Sequence, residues 1–142
     1  MVKFIILCLF LILNGCSSLK KDIVDCPKVT APKKAAEVIV KSENKLPVYI
    51  GLRGIKTYCT KDNDNIEMEI SVNVRAIRKD NNIEDFVPVN ITLVSTDMNN
   101  KEYDRADFKY SQFLLKGSKI GDRETDFDIK IPNGGQVYLG LR

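Results

Sequence analysis

From Ile66 to Ala76 the chain alternates without a break. Ile66, Met68, Ile70, Val72, Val74 and Ala76 are apolar, and Glu67, Glu69, Ser71, Asn73 and Arg75 between them are polar. Successive side chains of a strand point to opposite faces, so this pattern predicts a strand with one face in a core and the other in water. The same period recurs on both sides. Val48, Ile50 and Leu52 are apolar at even positions, and Ile55, Thr57 and Cys59 continue at odd ones. The parity changes at Arg53-Gly54, which predicts a β-bulge. Val87, Val89, Ile91 and Leu93 predict another strand, with Asn90 and Thr92 outward. Pro88 has no amide donor, so that end of the strand is expected at an edge or a bulge.

Three more alternating runs follow: Ala106, Phe108 and Tyr110; Phe127, Ile129 and Ile131; Val137, Leu139 and Leu141. Val38 and Val40 permit a strand within 35–41, where Ala35-Ala36-Glu37 also permits a helical turn. Turn chemistry separates the runs at Asp62-Asn63-Asp64-Asn65, Lys79-Asp80-Asn81-Asn82, Asp97 to Asn100 and Pro132-Asn133-Gly134-Gly135. Lys116 to Asp122 reads as a glycine-containing loop. The pattern predicts an all-β chain of about six to seven short strands, an antiparallel β-sandwich of immunoglobulin-like size, with a small β-barrel as the alternative.

The first residues follow a different rule. Lys3 is the only charge before the apolar run Phe4 to Leu13, a charged n-region followed by a short h-region. A run of this length spans about 15 Å as a helix, half of a bilayer core, so it reads as an export signal and not as a membrane span. Leu13-Asn14-Gly15-Cys16 follows, and it resembles the lipobox of bacterial lipoproteins. That resemblance implies that residues 1–15 are removed and that Cys16 carries diacylglycerol and an acyl chain such as palmitate. Several acyl chains give a stable membrane anchor where one does not. The alternative is an ordinary signal peptide with an incidental Cys16. Ser17 and Ser18, by resemblance to Gram-negative sorting rules, point to the outer membrane at its periplasmic face, with the inner membrane or the cell surface as alternatives. Residues 16–34, polar and rich in lysine, read as a lipidated tether, and 35–142 as the folded domain.

The formal charge of +3 falls by one when Lys3 leaves. So mild a balance does not point to nucleic acid. Lys20, Lys21, Lys28, Lys33 and Lys34 concentrate near the anchor and suit either a solvated tether or anionic head groups. The four cysteines divide in the same way. Cys8 lies in the signal and Cys16 carries lipid. That leaves Cys26 and Cys59, which are expected to form a disulfide in an oxidising compartment.

Taken together, Cys16, the stretch Cys26-Pro27-Lys28-Val29, the Tyr58-Cys59 pair before the long alternating strand, and the ending Val137-Tyr138-Leu139-Gly140-Leu141 resemble a family of uncharacterised bacterial lipoproteins. The resemblance covers most of residues 16–142. It implies a lipid-anchored β domain of the cell envelope and brings no activity with it. The chain departs from the family's pattern beside Cys59, where the tyrosine precedes the cysteine, and at Pro88.

The chain contains no histidine, which removes the commonest general base and metal ligand and every Ser-His or Cys-His nucleophile. Two cysteines are too few for a structural zinc site, and no phosphate-binding glycine loop is present. No cofactor is expected. Asp122, Glu124, Asp126 and Asp128 fall on one face of a strand, which suits a solvated surface, a cation site or a carboxylate pair acting on cell-wall glycan. Asp62 to Ile66 begins like a calcium loop but lacks its glycine and distal glutamate, so a hairpin turn is the expectation. Tyr103, Tyr110 and Tyr138 are candidates for a contact surface or, equally, for the rim of the core. The reading is of a non-enzymatic envelope lipoprotein that binds or scaffolds another envelope protein or cell-wall glycan, with a glycan hydrolase or a passive surface antigen as alternatives.

Overall fold

The computed structural model describes residues 21–142. The lipobox, Cys8 and Cys16 lie outside the described residues. Eight strands run in chain order: β1 (Val29–Thr30), β2 (Glu37–Lys41), β3 (Pro47–Asp62), β4 (Asn65–Arg78), β5 (Asp85–Thr96), β6 (Glu102–Leu114), β7 (Ile120–Pro132) and β8 (Gln136–Leu141). They form two four-stranded sheets, β2-β3-β4-β7 and β1-β8-β5-β6. The sheets face each other as a sandwich and do not close into a barrel. Every pairing is antiparallel except that of β1 with β8.

The alternation explains the core. Met68, Ile70, Val72, Val74 and Ala76 of β4 are buried, as are Val87, Val89, Ile91 and Leu93 of β5. Ile129 and Ile131 of β7 and Val137 and Leu139 of β8 complete the layer between the sheets. The register of β3 against β4 shifts between Leu52 and Gly54, the bulge that the parity change foretells. Beyond it, Ile55 and Thr57 pair with Val72 and Ile70 but remain exposed. Pro88 pairs with Ser111 of β6, and β8 reaches β5 only from Ile91 on, so that end of β5 has a strand neighbour on one side.

Two boundaries differ from the sequence reading. The strand expected after a 116–122 loop already begins at Ile120, because Ile120, Gly121 and Asp122 pair with Ile77, Ala76 and Arg75. The stretch read as tether is attached from Asp22 onward. The Val24 amide donates to the Cys59 carbonyl at 3.1 Å, the Lys61 amide donates to the Asp22 carbonyl at 2.8 Å, and Val29–Thr30 form β1. Backbone hydrogen bonds make this attachment together with Val24, Cys26 and Val29, which pack against the core, and these few apolar residues show no strand period among their polar neighbours. Cys26 and Cys59 form a disulfide with their Cα atoms 5.3 Å apart, which fixes the entering chain to β3.

The chain therefore enters at one end of the sandwich, beside the turns 62–65, 97–101 and 132–135. The other end is built from the loops 42–46, 79–84 and 115–119. Arg78 organises that far end. It is 3% exposed, and its guanidinium donates to the carbonyls of Ser118 (3.0 Å), Ile83 (2.8 Å), Leu114 (3.4 Å) and Leu115 (2.6 Å).

Candidate functional site

The acidic run lies on the outer face of β7, an edge strand of its sheet. Asp122 forms two hydrogen bonds of 2.8 Å with Arg75, whose guanidinium holds the carboxyl below its usual range. Glu124 lies 3.4 Å from the Lys56 ammonium. Asp126 accepts a hydrogen bond from the Ser71 hydroxyl. Asp128 sits opposite Glu69 across the β4–β7 pair. Lys56, Tyr58, Glu69, Ser71, Asp126 and Asp128 are among the residues lining a shallow depression of about 380 Å3 on this face.

This arrangement can accept hydrogen bonds and attract cations. It has no enclosed cleft around two opposed carboxyl groups, the geometry that glycan hydrolysis uses. A proton donor in such a cleft has its pKa raised, whereas Asp122 is shifted the other way. Among the described residues, no three histidine, cysteine, aspartate or glutamate side chains gather where they could hold a metal ion. The residues 62–65 form the β3–β4 turn, with Asn63 at φ 55°, the left-handed conformation that asparagine tolerates at tight turns.

The three tyrosines do not share one surface. Tyr103 is exposed, and its hydroxyl accepts a hydrogen bond from Asn65 of the other sheet at 3.0 Å. Tyr110 points inward. Its ring stacks near Phe108 and lies 4.2 Å beneath the Arg123 guanidinium, and burial raises its pKa against the pull of Arg123. Tyr138 lies on the outer face of β8, opposite Val94 of β5, and its hydroxyl donates to Gln136.

Sequence reasoning missed a second surface, at the far end. Ile39, Tyr49, Ile77 and Ile120 are directly opposite one another across β2, β3, β4 and β7, so one apolar row crosses the whole outer face of that sheet. On the other sheet Phe86 and Phe113 are cross-strand partners with ring centroids 4.9 Å apart. The signal was present as breaks in alternation. Val38-Ile39-Val40, Ala76-Ile77 and Phe113-Leu114-Leu115 are apolar at both parities, so apolar side chains must emerge on the solvent face.

Comparison with protein-family models, with curated proteins and with solved structures finds no match.

Proposed function

We propose that this chain is a lipoprotein of the bacterial cell envelope, anchored through Cys16, whose β-sandwich serves as a non-enzymatic binding or scaffolding module. The observation that carries this reading is the Cys26–Cys59 disulfide. Disulfides of this kind belong to exported proteins. It also uses both cysteines of the described residues, which leaves Cys8, inside the proposed signal, and Cys16, at the end of the Leu13-Asn14-Gly15-Cys16 motif.

Two further features support it. The chain enters the sandwich at one end only a few residues after Cys16, and the disulfide fixes that entry. A force on the anchor is then borne by β3 and not by a loose tail. The absence of histidine from the chain and the pairing of three of the four β7 carboxylates with Arg75, Lys56 and Ser71 favour binding over catalysis.

The test is metabolic labelling with a fatty acid in the producing bacterium, followed by fractionation. The native chain is expected to take up label and to fractionate with membranes, mainly the outer membrane. Cys16→Ala is expected to lose the label and to leave the membrane fraction or accumulate unprocessed. A native chain without label, or a Cys16→Ala chain that is labelled equally, refutes the reading.

A further inference from the structure

We propose that the far end of the sandwich is a docking surface for an anionic phospholipid surface. Six of the eleven exposed large apolar residues among those described lie there: Ile39, Ile83, Phe86, Phe113, Leu115 and Ile120, each between 41% and 72% exposed. They gather at one end of the molecule. Ile39 and Ile120 end the row that crosses the β2-β3-β4-β7 sheet, and Phe86 with Phe113 occupies the same end of the other sheet. Ile83 and Leu115 are joined to this belt through Arg78, whose guanidinium holds both of their carbonyls. The belt thus takes in the outer faces of both sheets at this end and two of the loops that close it, which Arg78 ties together.

Beyond and around the belt lie five exposed lysines, Lys41, Lys45, Lys79, Lys116 and Lys119. None has an ion-pair partner among the described residues. Three exposed carboxylates, Glu43, Asp80 and Glu84, share the same loops, so cations predominate. Lys79 lines a mainly apolar groove of about 310 Å3 with Ile39, Pro47, Tyr49 and Ile77. Apolar side chains below a rim of flexible ammonium groups match the acyl boundary and the phosphate layer of an anionic bilayer. The charge complementarity selects lipid over a neutral protein groove.

The surface lies at the opposite end from the entering chain. β4 alone has 14 residues and so spans about 45 Å. A lipid-anchored copy would then hold one bilayer at each end. The docking surface itself does not depend on Cys16 being lipidated.

The test reconstitutes the mature protein, purified with its native amino terminus from membranes of the producing cell, into neutral phosphatidylcholine vesicles and adds labelled vesicles containing phosphatidylglycerol. The expected result is capture of the second population, reduced by added salt and lost in Phe113→Asp/Leu115→Asp. Lys116→Glu/Lys119→Glu lies wholly in a loop and is expected to weaken capture without touching the strands. Circular dichroism and the Cys26–Cys59 disulfide report that each variant is folded. An anchored native chain that captures nothing overturns the proposal. So does capture of neutral vesicles to the same extent, or capture only of membranes that retain their proteins, which would identify a protein partner instead. If the chain does not float with the first vesicles, the anchor reading has failed separately. Direct cosedimentation with the anionic vesicles then decides the docking surface: loss of binding in the Phe113/Leu115 variant supports it, and no binding, or binding unchanged in that variant, overturns it.

Discussion

Arg78→Met should unfold the far end first and weaken the whole sandwich. Arg78 is a buried cation with four carbonyl partners drawn from two loops and the end of β6. Methionine fills much of the same volume but donates nothing. The Leu114 carbonyl is in a buried position but its bond is the long one, at 3.4 Å, so little is lost there. The Ile83, Leu115 and Ser118 carbonyls are partly buried, with bonds of 2.6–3.0 Å. Each stranded carbonyl costs about 1–3 kcal/mol where water cannot reach it, and less where it can. Removing a desolvated charge returns part of that loss. The expected net destabilisation is about 3 kcal/mol, a large share of the roughly 5–15 kcal/mol that holds a domain together. The chain has no tryptophan, so urea unfolding followed by far-ultraviolet circular dichroism is the suitable assay. Arg78→Lys should fall between, because one ammonium cannot span all of these acceptors. A midpoint for Arg78→Met within about 0.5 kcal/mol of the native chain, the range of an ordinary surface change, would refute the reasoning.

Cys26→Ser/Cys59→Ser opens a cross-link between residues 33 apart, and the chain-entropy relation puts the loss at about 4 kcal/mol, read as a lower urea midpoint that reductant reproduces in the native chain. Burial opposes the charge on Asp85, but the Phe86 and Asn44 amides, which donate to its Oδ1 at 2.8 and 3.3 Å, together with the neighbouring Ser42 hydroxyl, outweigh it and hold the carboxyl below its usual range. Its contribution is therefore complete above the unfolded value of about 3.9 and is lost as pH falls below that toward the folded value, so Asp85→Asn should flatten the acid limb of the stability profile; an unchanged limb would count against this. At Gly135 a Cβ would stand 2.4 Å from the Thr96 carbonyl oxygen and 2.9 Å from that of Pro132, both backbone atoms, so Gly135→Ala should cost about 1–3 kcal/mol by displacing the β7–β8 turn, and an unchanged thermal midpoint would contradict it.

Much of the sandwich was legible because one physical rule governs it. Burial of one face forces a period of two, and Met68 to Ala76 and Val87 to Leu93 obey it residue by residue. The bulge at Gly54 was legible as the point where that parity slips. The disulfide followed from the number of cysteines once export was inferred. What escaped was structure made by groups the pattern does not report. β1 and the Asp22–Val24 attachment are held by backbone hydrogen bonds and by the isolated apolar residues Val24 and Val29, which form no alternating run. Arg78 sits at the inward parity that Ala76 continues, but a charge there reads as the end of a strand until its four carbonyl acceptors are seen. The far-end belt was visible only as broken alternation at Ile39 and Ile77, which by itself does not say that the residues meet. The tyrosines show the reverse case: a residue type common at contact surfaces, here spread over an edge, the core and an outer face.

The central claim is that the mature chain begins at Cys16 and is held by lipid there. Mass spectrometry of the amino-terminal peptide, from protein extracted from membranes of the producing cell, tests it most directly. The account predicts a peptide that starts at Cys16 and carries the added mass of a diacylglyceryl group, with an acyl chain on its amino group. A peptide that begins at another residue, or one in which Cys16 is unmodified, would contradict it.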